Sequence, residues 1–398
     1  MKQQVPINPA LLRWARCAAG LSLKDAAARA KITALRRPKN QTSVTPEDRL
    51  ASWEDGRTSP SISQLKALAN AYRRPFVTFF LAEPPTEVAP LADYRTIPNT
   101  PVESPEFAAL KRRIFQLHRE LCAIAKEEQT EALPFVNSCN MKDGVPAVVD
   151  AIRRTLGIEP VEAYTHIADD AFHDLREKAQ NAGVYVVLMG DLGNYHSRVE
   201  PDEFRGIAIA EQFAPLIVIN SYDTKVARPF TLAHELAHIF LGFSGVSNQN
   251  AFELQRLHKS IEQFCNSVAA ELLVPERSIR QAWNGQDGDL EQFIRRMARN
   301  LHVSEEVIAR RLSDLGLIYE DDYRELVAFY RARWEHNKKK IKDSGGGPNP
   351  NGLASYNLGK KTLETLLRAA DNGSITLQDA ARTVNMSVSR FEKVVEFC

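Results

Sequence analysis

Two histidines and a glutamate stand at the spacing of a catalytic zinc site. In TLAHELAHIFLG, His234 and His238 are four residues apart, and Glu235 directly follows the first. On a helix this spacing places both imidazoles on one face, where they can share one Zn²⁺. The carboxylate of Glu235 would lie beside the metal, where it can accept a proton from an attacking water and deliver it to a leaving amine. The pattern predicts a zinc hydrolase with one zinc per chain and Glu235 as general base.

The same segment also fits an amphipathic core helix whose two histidines are satisfied by hydrogen bonds. Its apolar residues already bury such a helix: Leu232, Ala233, Leu236, Ala237, Ile239, Phe240 and Leu241. The two histidines would then contribute nothing to the packing of the helix. Because they have no structural reason to be there, the zinc interpretation is preferred.

A catalytic zinc needs a third protein ligand and an open coordination position. The metzincin continuation is absent, because Leu241 stands where its glycine would be and Ser244 where its histidine would be. The candidates on a later helix are Glu253, His258, Glu262 and Glu271. Glu262 lies four residues after His258 and four before Asn266, on the polar edge of an otherwise apolar helix. Spacing alone leaves open whether Glu262 is a ligand or a solvated carboxylate.

The elements that must position these residues are mostly helical. Helical periodicity marks 106–132, the amphipathic segment 146–158, and the chain from 250 to about 336. Three short β-branched runs bounded by turn residues read as strands: 184–190, 204–210 and 215–221. The predicted fold class is therefore α+β, with a small sheet ahead of the HExxH helix.

Composition changes along the chain indicate several domains. A helical unit at 1–83 is followed by a proline-rich connector at 84–105, and the candidate catalytic domain with helical flanks spans 106–336. A charged, Gly/Pro-rich linker at 337–352 then precedes a C-terminal helical unit at 353–398.

Cysteine usage and hydropathy favour a cytoplasmic protein. The five cysteines are scattered without C-x-x-C spacing, which suggests neither a disulfide framework nor a thiolate zinc site. They are Cys17, Cys122, Cys139, Cys265 and Cys398. Neither a membrane-spanning apolar stretch nor a signal peptide is evident, so no membrane partner is expected.

The net charge of +1 excludes little, but residues 1–83 hold 14 Lys/Arg against 6 Asp/Glu, an excess of +8. That positively charged segment could bind an anionic partner.

The residues around the two histidines resemble those of a known family. The run R-P-F-T-L-A-H-E-L-A-H (228–238), preceded by G-I-A-I-A and P-L-I-V-I-N and followed by E-x-x-x-N-x-V-A-A-E-L-L-V-P (262–275), resembles the ImmA/IrrE-type zinc metallopeptidases. The resemblance covers roughly 180–318 and implies that the third, gluzincin-like ligand is Glu262, four residues before the asparagine. Departures from the family pattern at Cys265, Phe264 and Val268 remove no catalytic atom.

Two further residues of the motif have open roles. Asn266 and Arg228 could orient a ligand or the substrate, or be structural, and the structural interpretation is preferred.

The N-terminal segment resembles a helix-turn-helix unit of the XRE/Cro-repressor type. The similarity rests on LLRWARCAAGLSLKDAAARAKI and on the W-E-x-G-x-x-x-P turn at Trp53, Glu54, Gly56 and Pro60. Ser22 with Asp25, and Thr45 with Asp48, mark predicted helix starts. In the ImmA/IrrE-type family this unit is often fused to the peptidase, followed by F-F-L-A-E-P-P and D-Y-R as at 79–85 and 93–95.

The resemblance implies DNA as a partner of the N-terminal unit. The candidate DNA contacts are Arg36, Arg37, Lys39, Arg49 and Ser52. About a dozen residues from Thr33 to Val44 replace the usual short turn, which would alter docking. The alternative is a unit that binds a partner protein or its own peptidase domain. Two later helix pairs, at 300–318 and 374–395, favour a packing role over DNA binding.

Taken together, these patterns predict a zinc endopeptidase that acts on a protein substrate. The family resemblance implies that the substrate is a helix-turn-helix repressor of stress-response or mobile-element genes. The alternatives are a DNA-binding transcriptional regulator whose peptidase domain is a sensor or relic, and the toxin half of a toxin–antitoxin pair.

Overall fold

The computed structural model divides the chain into two compact units. The first unit comprises Met1–Pro90, Ile97–Phe115 and Asp191–Val199, and the second comprises Leu91–Thr96, Gln116–Gly190 and Glu200–Cys398. The residues described are 7–35, 43–85, 104–158, 171–243, 251–284, 289–301, 303–340 and 349–397. The boundaries expected from composition stay predictions, and residues 349–397 cluster with the second unit.

The first unit is built from short capped helices. They are α1 (Pro9–Ala18), α2 (Leu23–Arg29), α3 (Pro46–Glu54) and α4 (Ile62–Ala71), followed by a 3₁₀ helix at Phe76–Phe80. The Ser22 hydroxyl accepts the Asp25 backbone N–H at 3.1 Å, and the Thr45 hydroxyl accepts that of Asp48 at 3.1 Å. Both predicted helix starts are thus confirmed, because each cap satisfies a donor that the first helical turn leaves open.

The second unit carries a small mixed sheet. The helices α5 (Pro105–Glu127), α6 (Gly144–Leu156) and α7 (Ala171–Asn181) precede the strands β1 (Tyr185–Leu188), β2 (Gly206–Ile209) and β3 (Leu216–Ile219) in the chain. The strand order is β1-β3-β2, with β1 parallel and β2 antiparallel to β3. Strands β1 and β3 are buried along their whole length. The three predicted strands are confirmed.

The elements that follow β3 in the described chain are helices. They are α8 (Arg228–Leu241), α9 (Ala251–Leu273), α10 (Glu276–Asn284), α11 (Leu290–Asn300), α12 (Glu305–Asp314), α13 (Glu320–Lys340), α14 (Pro350–Leu358), α15 (Lys360–Asp371), α16 (Leu377–Thr383) and α17 (Val388–Val395). Helix α8 lies at the centre of the hydrophobic core, because every residue from Thr231 to Leu241 is buried. The described chain is mostly helical with one small sheet, as the sequence predicts.

A helix that crosses a bilayer needs about 20 consecutive, predominantly apolar residues, and the described helices were not expected to meet that requirement. None of them combines the length and the apolar content needed to cross a membrane.

A buried arginine connects the sheet to the helices near the C-terminus. Arg176, 3% exposed, donates hydrogen bonds to the backbone carbonyls of Val186, Tyr356 and Asn357. Burial lowers the pKa of Arg176 to about 10, so the guanidinium stays charged at neutral pH. A Cβ on Gly359 would lie 2.5 Å from its Nη2. These contacts fix the start of α15 against β1.

Replacing Arg176 with methionine is expected to lower the free energy of unfolding of the second unit by about 2–4 kcal/mol, because several buried carbonyls lose their donor. Urea unfolding followed by circular dichroism measures the change. The matched control is Arg324→Met, since that side chain is 70% exposed and pairs with Glu320 on the surface. The control is expected to change stability by at most about 0.5 kcal/mol. Equal unfolding midpoints for the two variants would contradict the structural role of Arg176.

Candidate metal centre

Helix α8 presents its polar side chains to the interior of the second unit. Proline 229 occupies its first turn, where no backbone N–H bond is lost, and Gly242 ends it in the left-handed conformation with φ of +70°. Among the otherwise apolar side chains of α8, His234, Glu235 and His238 are at most 4% exposed. Buried polar groups of this kind need partners, and those of the two histidines come from a second helix.

Helix α9 supplies the carboxylate that completes the cluster. Glu262 Oε1 lies 3.1 Å from His238 Nε2, and Glu262 Oε2 lies 3.3 Å from His234 Nε2. The two imidazole Nε2 atoms are themselves 3.0 Å apart. Burial would raise the pKa of Glu262, but its hydrogen bonds with the two histidines outweigh burial and hold that pKa at about 2. The cluster thus consists of two ring nitrogens and one ionised carboxylate.

These three donors fit a zinc ion. With metal–donor bonds of about 2.0–2.2 Å in a tetrahedron, donor atoms lie about 3.3–3.6 Å apart, and the separations of 3.0, 3.1 and 3.3 Å are only slightly shorter. Two imidazoles and one carboxylate are also the donor set of zinc sites that keep a fourth position open for catalysis. His234, His238 and Glu262 are therefore the residues that would hold the metal.

Asn266 orients one of the imidazoles. Its Oδ1 lies 2.9 Å from His234 Nδ1, one helical turn beyond Glu262 on α9. An amide oxygen can only accept, so His234 Nδ1 is the donor in this contact, and Nε2 would be the atom that binds a metal. Of the two roles that the sequence left open for Asn266, the contact supports the orienting one.

Glu235 directly follows His234 on α8, but it is not one of the clustered donors. The three donor atoms that approach one another within 4.8 Å come from His234, His238 and Glu262. The side chain of Glu235 lies against Gly206 in β2, where an added Cβ would come within 2.3 Å of Oε1 and 2.8 Å of Cγ and Cδ. Sequence reasoning did not select Gly206, although a glycine inside a strand often marks such a close approach.

Gly206→Ala is expected to reduce hydrolysis at least about tenfold and to leave the metal content unchanged, because the new methyl group must displace the Glu235 carboxylate. The backbone of Gly206 is not in the left-handed region, so alanine adds no conformational strain. Gly352→Ala is the control, since the nearest atom to its Cβ would be at 3.5 Å. Turnover and bound zinc are measured on the same samples. Full activity of Gly206→Ala would show that Glu235 tolerates displacement.

The other candidate ligands have different places in the structure. Glu271 accepts the Glu276 backbone N–H and forms an ion pair with Arg311, which occupies both of its oxygens. The side chains of Glu253 and His258 lie outside the described set, although α9 includes both positions. Arg228 donates to the Ser221 carbonyl at 2.8 Å, a contact that fixes the loop before α8.

The candidate DNA contacts are only partly described. Arg36, Arg37 and Lys39 lie outside the described residues. Arg49 bonds to the Thr33 carbonyl and its guanidinium lies 5.4 Å from the centre of the Trp53 ring. Ser52 bonds to the Arg49 carbonyl at 2.7 Å and to the Thr58 hydroxyl at 2.6 Å. Both side chains make internal contacts, and base contact by either stays a prediction.

Comparison with known proteins points to the same segment. Residues 179–313, which include His234, Glu235, His238 and Glu262, match the IrrE N-terminal-like domain of the Peptidase_M78 family. The chain is also 41% identical over 69 residues to the radiation response metalloprotease IrrE of Deinococcus radiodurans. That match covers 17% of this chain and 21% of IrrE, so the chain spans about a fifth of that relative's length. These similarities support a metallopeptidase domain.

Proposed function

We propose that this protein is a zinc-dependent endopeptidase that cleaves a regulatory protein, with a helix-turn-helix transcriptional repressor as the substrate. One observation carries the proposal: His234 and His238 on α8 meet Glu262 on α9 in a buried cluster, and the Glu235 side chain, next to His234 in the chain, is buried against Gly206. The setting would be a stress response or the control of mobile-element genes, in the cytoplasm.

Each residue has a separate role in the proposed reaction. His234, His238 and Glu262 hold the metal, which when bound acts as a Lewis acid on the scissile carbonyl and activates water near neutral pH. Glu235 takes a proton from the attacking water onto its carboxylate and then delivers it to the leaving amine nitrogen as the C–N bond breaks. Asn266 holds the His234 ring, and Gly206 leaves the space in which the Glu235 carboxylate lies.

The regulatory role is supported by similarity to other proteins rather than by the geometry of the metal site. The Deinococcus relative is a radiation response metalloprotease by name. The N-terminal segment of this chain resembles a helix-turn-helix unit. Such a unit would bring the peptidase close to helix-turn-helix repressors. Cleavage of a repressor would then release the genes that the repressor holds silent.

The test is cleavage of a helix-turn-helix repressor encoded beside this gene. The purified full chain, loaded with Zn²⁺, is incubated with the repressor, and mass spectrometry identifies new termini. The matched sample contains Glu235→Gln. Cleavage at a defined bond by the natural chain alone supports the proposal, whereas equal cleavage in both samples, or none in either, rejects it.

A second candidate function is DNA-binding regulation, favoured by the excess of +8 in residues 1–83. The peptidase domain would then be a sensor, or the toxin of a toxin–antitoxin pair. Gel shifts with the gene's own upstream DNA separate these ideas, because a specific regulator retains that DNA as salt rises while nonspecific binding is lost. Growth arrest on expression that Glu235→Gln relieves would indicate a toxin.

A further inference from the structure

A second cluster of metal-binding side chains lies in the second unit. His118 and Cys122 are one turn apart on α5, and Glu211 lies in the connection between β2 and β3. One nitrogen, one sulfur and one carboxylate oxygen from these residues all lie within 4.8 Å of one another. The three residues lack the C-x-x-C spacing from which a thiolate zinc site is predicted. The sequence therefore did not indicate this cluster.

The separations of these donors match those around a zinc ion. Cys122 Sγ lies 3.4 Å from His118 Nε2 and 3.7 Å from Glu211 Oε2. With a zinc–sulfur bond of about 2.3 Å and nitrogen or oxygen bonds of about 2.0–2.2 Å, the corresponding edges of a tetrahedron are about 3.5–3.7 Å long. Two of the three edges are therefore close to the lengths in a zinc site, and the third, between His118 and Glu211, is at most 4.8 Å long.

We propose that His118, Cys122 and Glu211 bind a second divalent transition-metal ion of the zinc class, separate from the ion held by the α8–α9 cluster. A thiolate and a carboxylate balance the charge of a divalent cation. Binding converts the Cys122 thiol into a metal thiolate and releases its proton to water, so charge and atoms are conserved. Mixed N, S and O donors suit zinc and its neighbours rather than magnesium or calcium.

The surrounding contacts hold the donors in place. Glu211 Oε2 accepts the backbone N–H groups of Phe213 at 2.8 Å and Ala214 at 2.9 Å, which fixes the carboxylate against β3. The His118 ring also makes a hydrogen bond with the backbone at Ala214. Imidazole ligands commonly have such a second partner, which sets the ring orientation. All three ligands are half-buried, so a metal can reach them from solution.

A nucleophilic Cys–His pair is the competing interpretation, and the environment disfavours it. A nucleophilic thiolate needs a positive charge beside it, whereas Cys122 Sγ lies 3.7 Å from the negatively charged carboxylate of Glu211. The bound cation would supply the positive charge that a thiolate requires at this position.

The proposal is tested by counting metal in the full chain. After saturation with Zn²⁺ and removal of excess, the natural protein is expected to hold about two zinc ions per chain. His118→Gln, Cys122→Ala and His234→Ala are each expected to hold about one. Cys139→Ser, which alters another half-buried cysteine outside the cluster, keeps both ions. Circular dichroism verifies that each variant is folded.

Cobalt distinguishes the two sites in the same samples. Thiolate-to-cobalt charge transfer gives a near-ultraviolet band that imidazole and carboxylate ligands do not produce, so the Co²⁺-loaded natural chain should show it. The band is expected to persist in His234→Ala and in Cys265→Ala, and to vanish in folded Cys122→Ala. One zinc ion in the saturated natural chain, a missing sulfur band, or a band unaffected by Cys122→Ala would each overturn the proposal. None of these results depends on peptidase activity.

Discussion

Replacing Glu235 with glutamine is expected to lower the turnover of peptide-bond hydrolysis about 10²- to 10⁴-fold, the usual contribution of a positioned acid–base group. The amide has nearly the shape of the carboxylate but cannot take up a proton from water. Glu235 is not among the three donors of the α8–α9 cluster, so the metal content of the variant should equal that of the natural chain.

The kinetic pattern separates this role from a binding role. A residue that acts in the transition state lowers kcat and kcat/KM together, whereas a substrate contact raises KM alone. The prediction fails if Glu235→Gln loses zinc, because the residue would then be a ligand. It also fails if the zinc-loaded variant cleaves substrate at the natural rate. Gly206→Ala provides an intermediate case, because it displaces the same carboxylate without removing it.

Replacing Glu262 with alanine is expected to weaken zinc binding by more than about 100-fold, since the loss of mere outer partners of metal ligands already costs about 10- to 100-fold. The buried cluster would keep two imidazoles, which are tolerated as neutral groups, so the variant should still fold. Competition with a chromophoric chelator gives the affinity, and circular dichroism verifies the helix content.

The matched control is Glu253→Ala, which removes a carboxylate from the same helix, α9. Glu253 was one of the alternative ligands left open by the spacing, so the comparison decides between them. Equal loss of zinc affinity in both variants would place the third ligand elsewhere. An unchanged affinity in Glu262→Ala would exclude it as a donor.

The local part of the site could be predicted from the sequence. The spacing of His234 and His238 implies one helical face, and the structure places both Nε2 atoms within 3.0 Å of each other. The three strands were visible because each is a short β-branched run between turn residues. Both signals arise within a few residues of chain, where periodicity is informative.

The contacts between distant segments could not be predicted in the same way. Glu262 was singled out through a family resemblance. Periodicity alone does not distinguish it from the other polar residues on successive turns of the same helix. Gly206 contacts Glu235 from a strand 29 positions earlier, and no local pattern encodes that approach. Likewise, Glu211 joins His118 and Cys122 only because the sheet carries it to α5. Such pairs depend on tertiary packing.

The central position of α8 ties metal occupancy to the lifetime of the protein in the cell. Both helices that supply donors contribute to the same hydrophobic core, so an ion bound there favours the native state over the unfolded one. At free zinc 100-fold above the dissociation constant, this linkage is worth about 2.7 kcal/mol. Zinc starvation would therefore lower the abundance of the protein several-fold through proteolysis, in addition to any loss of activity.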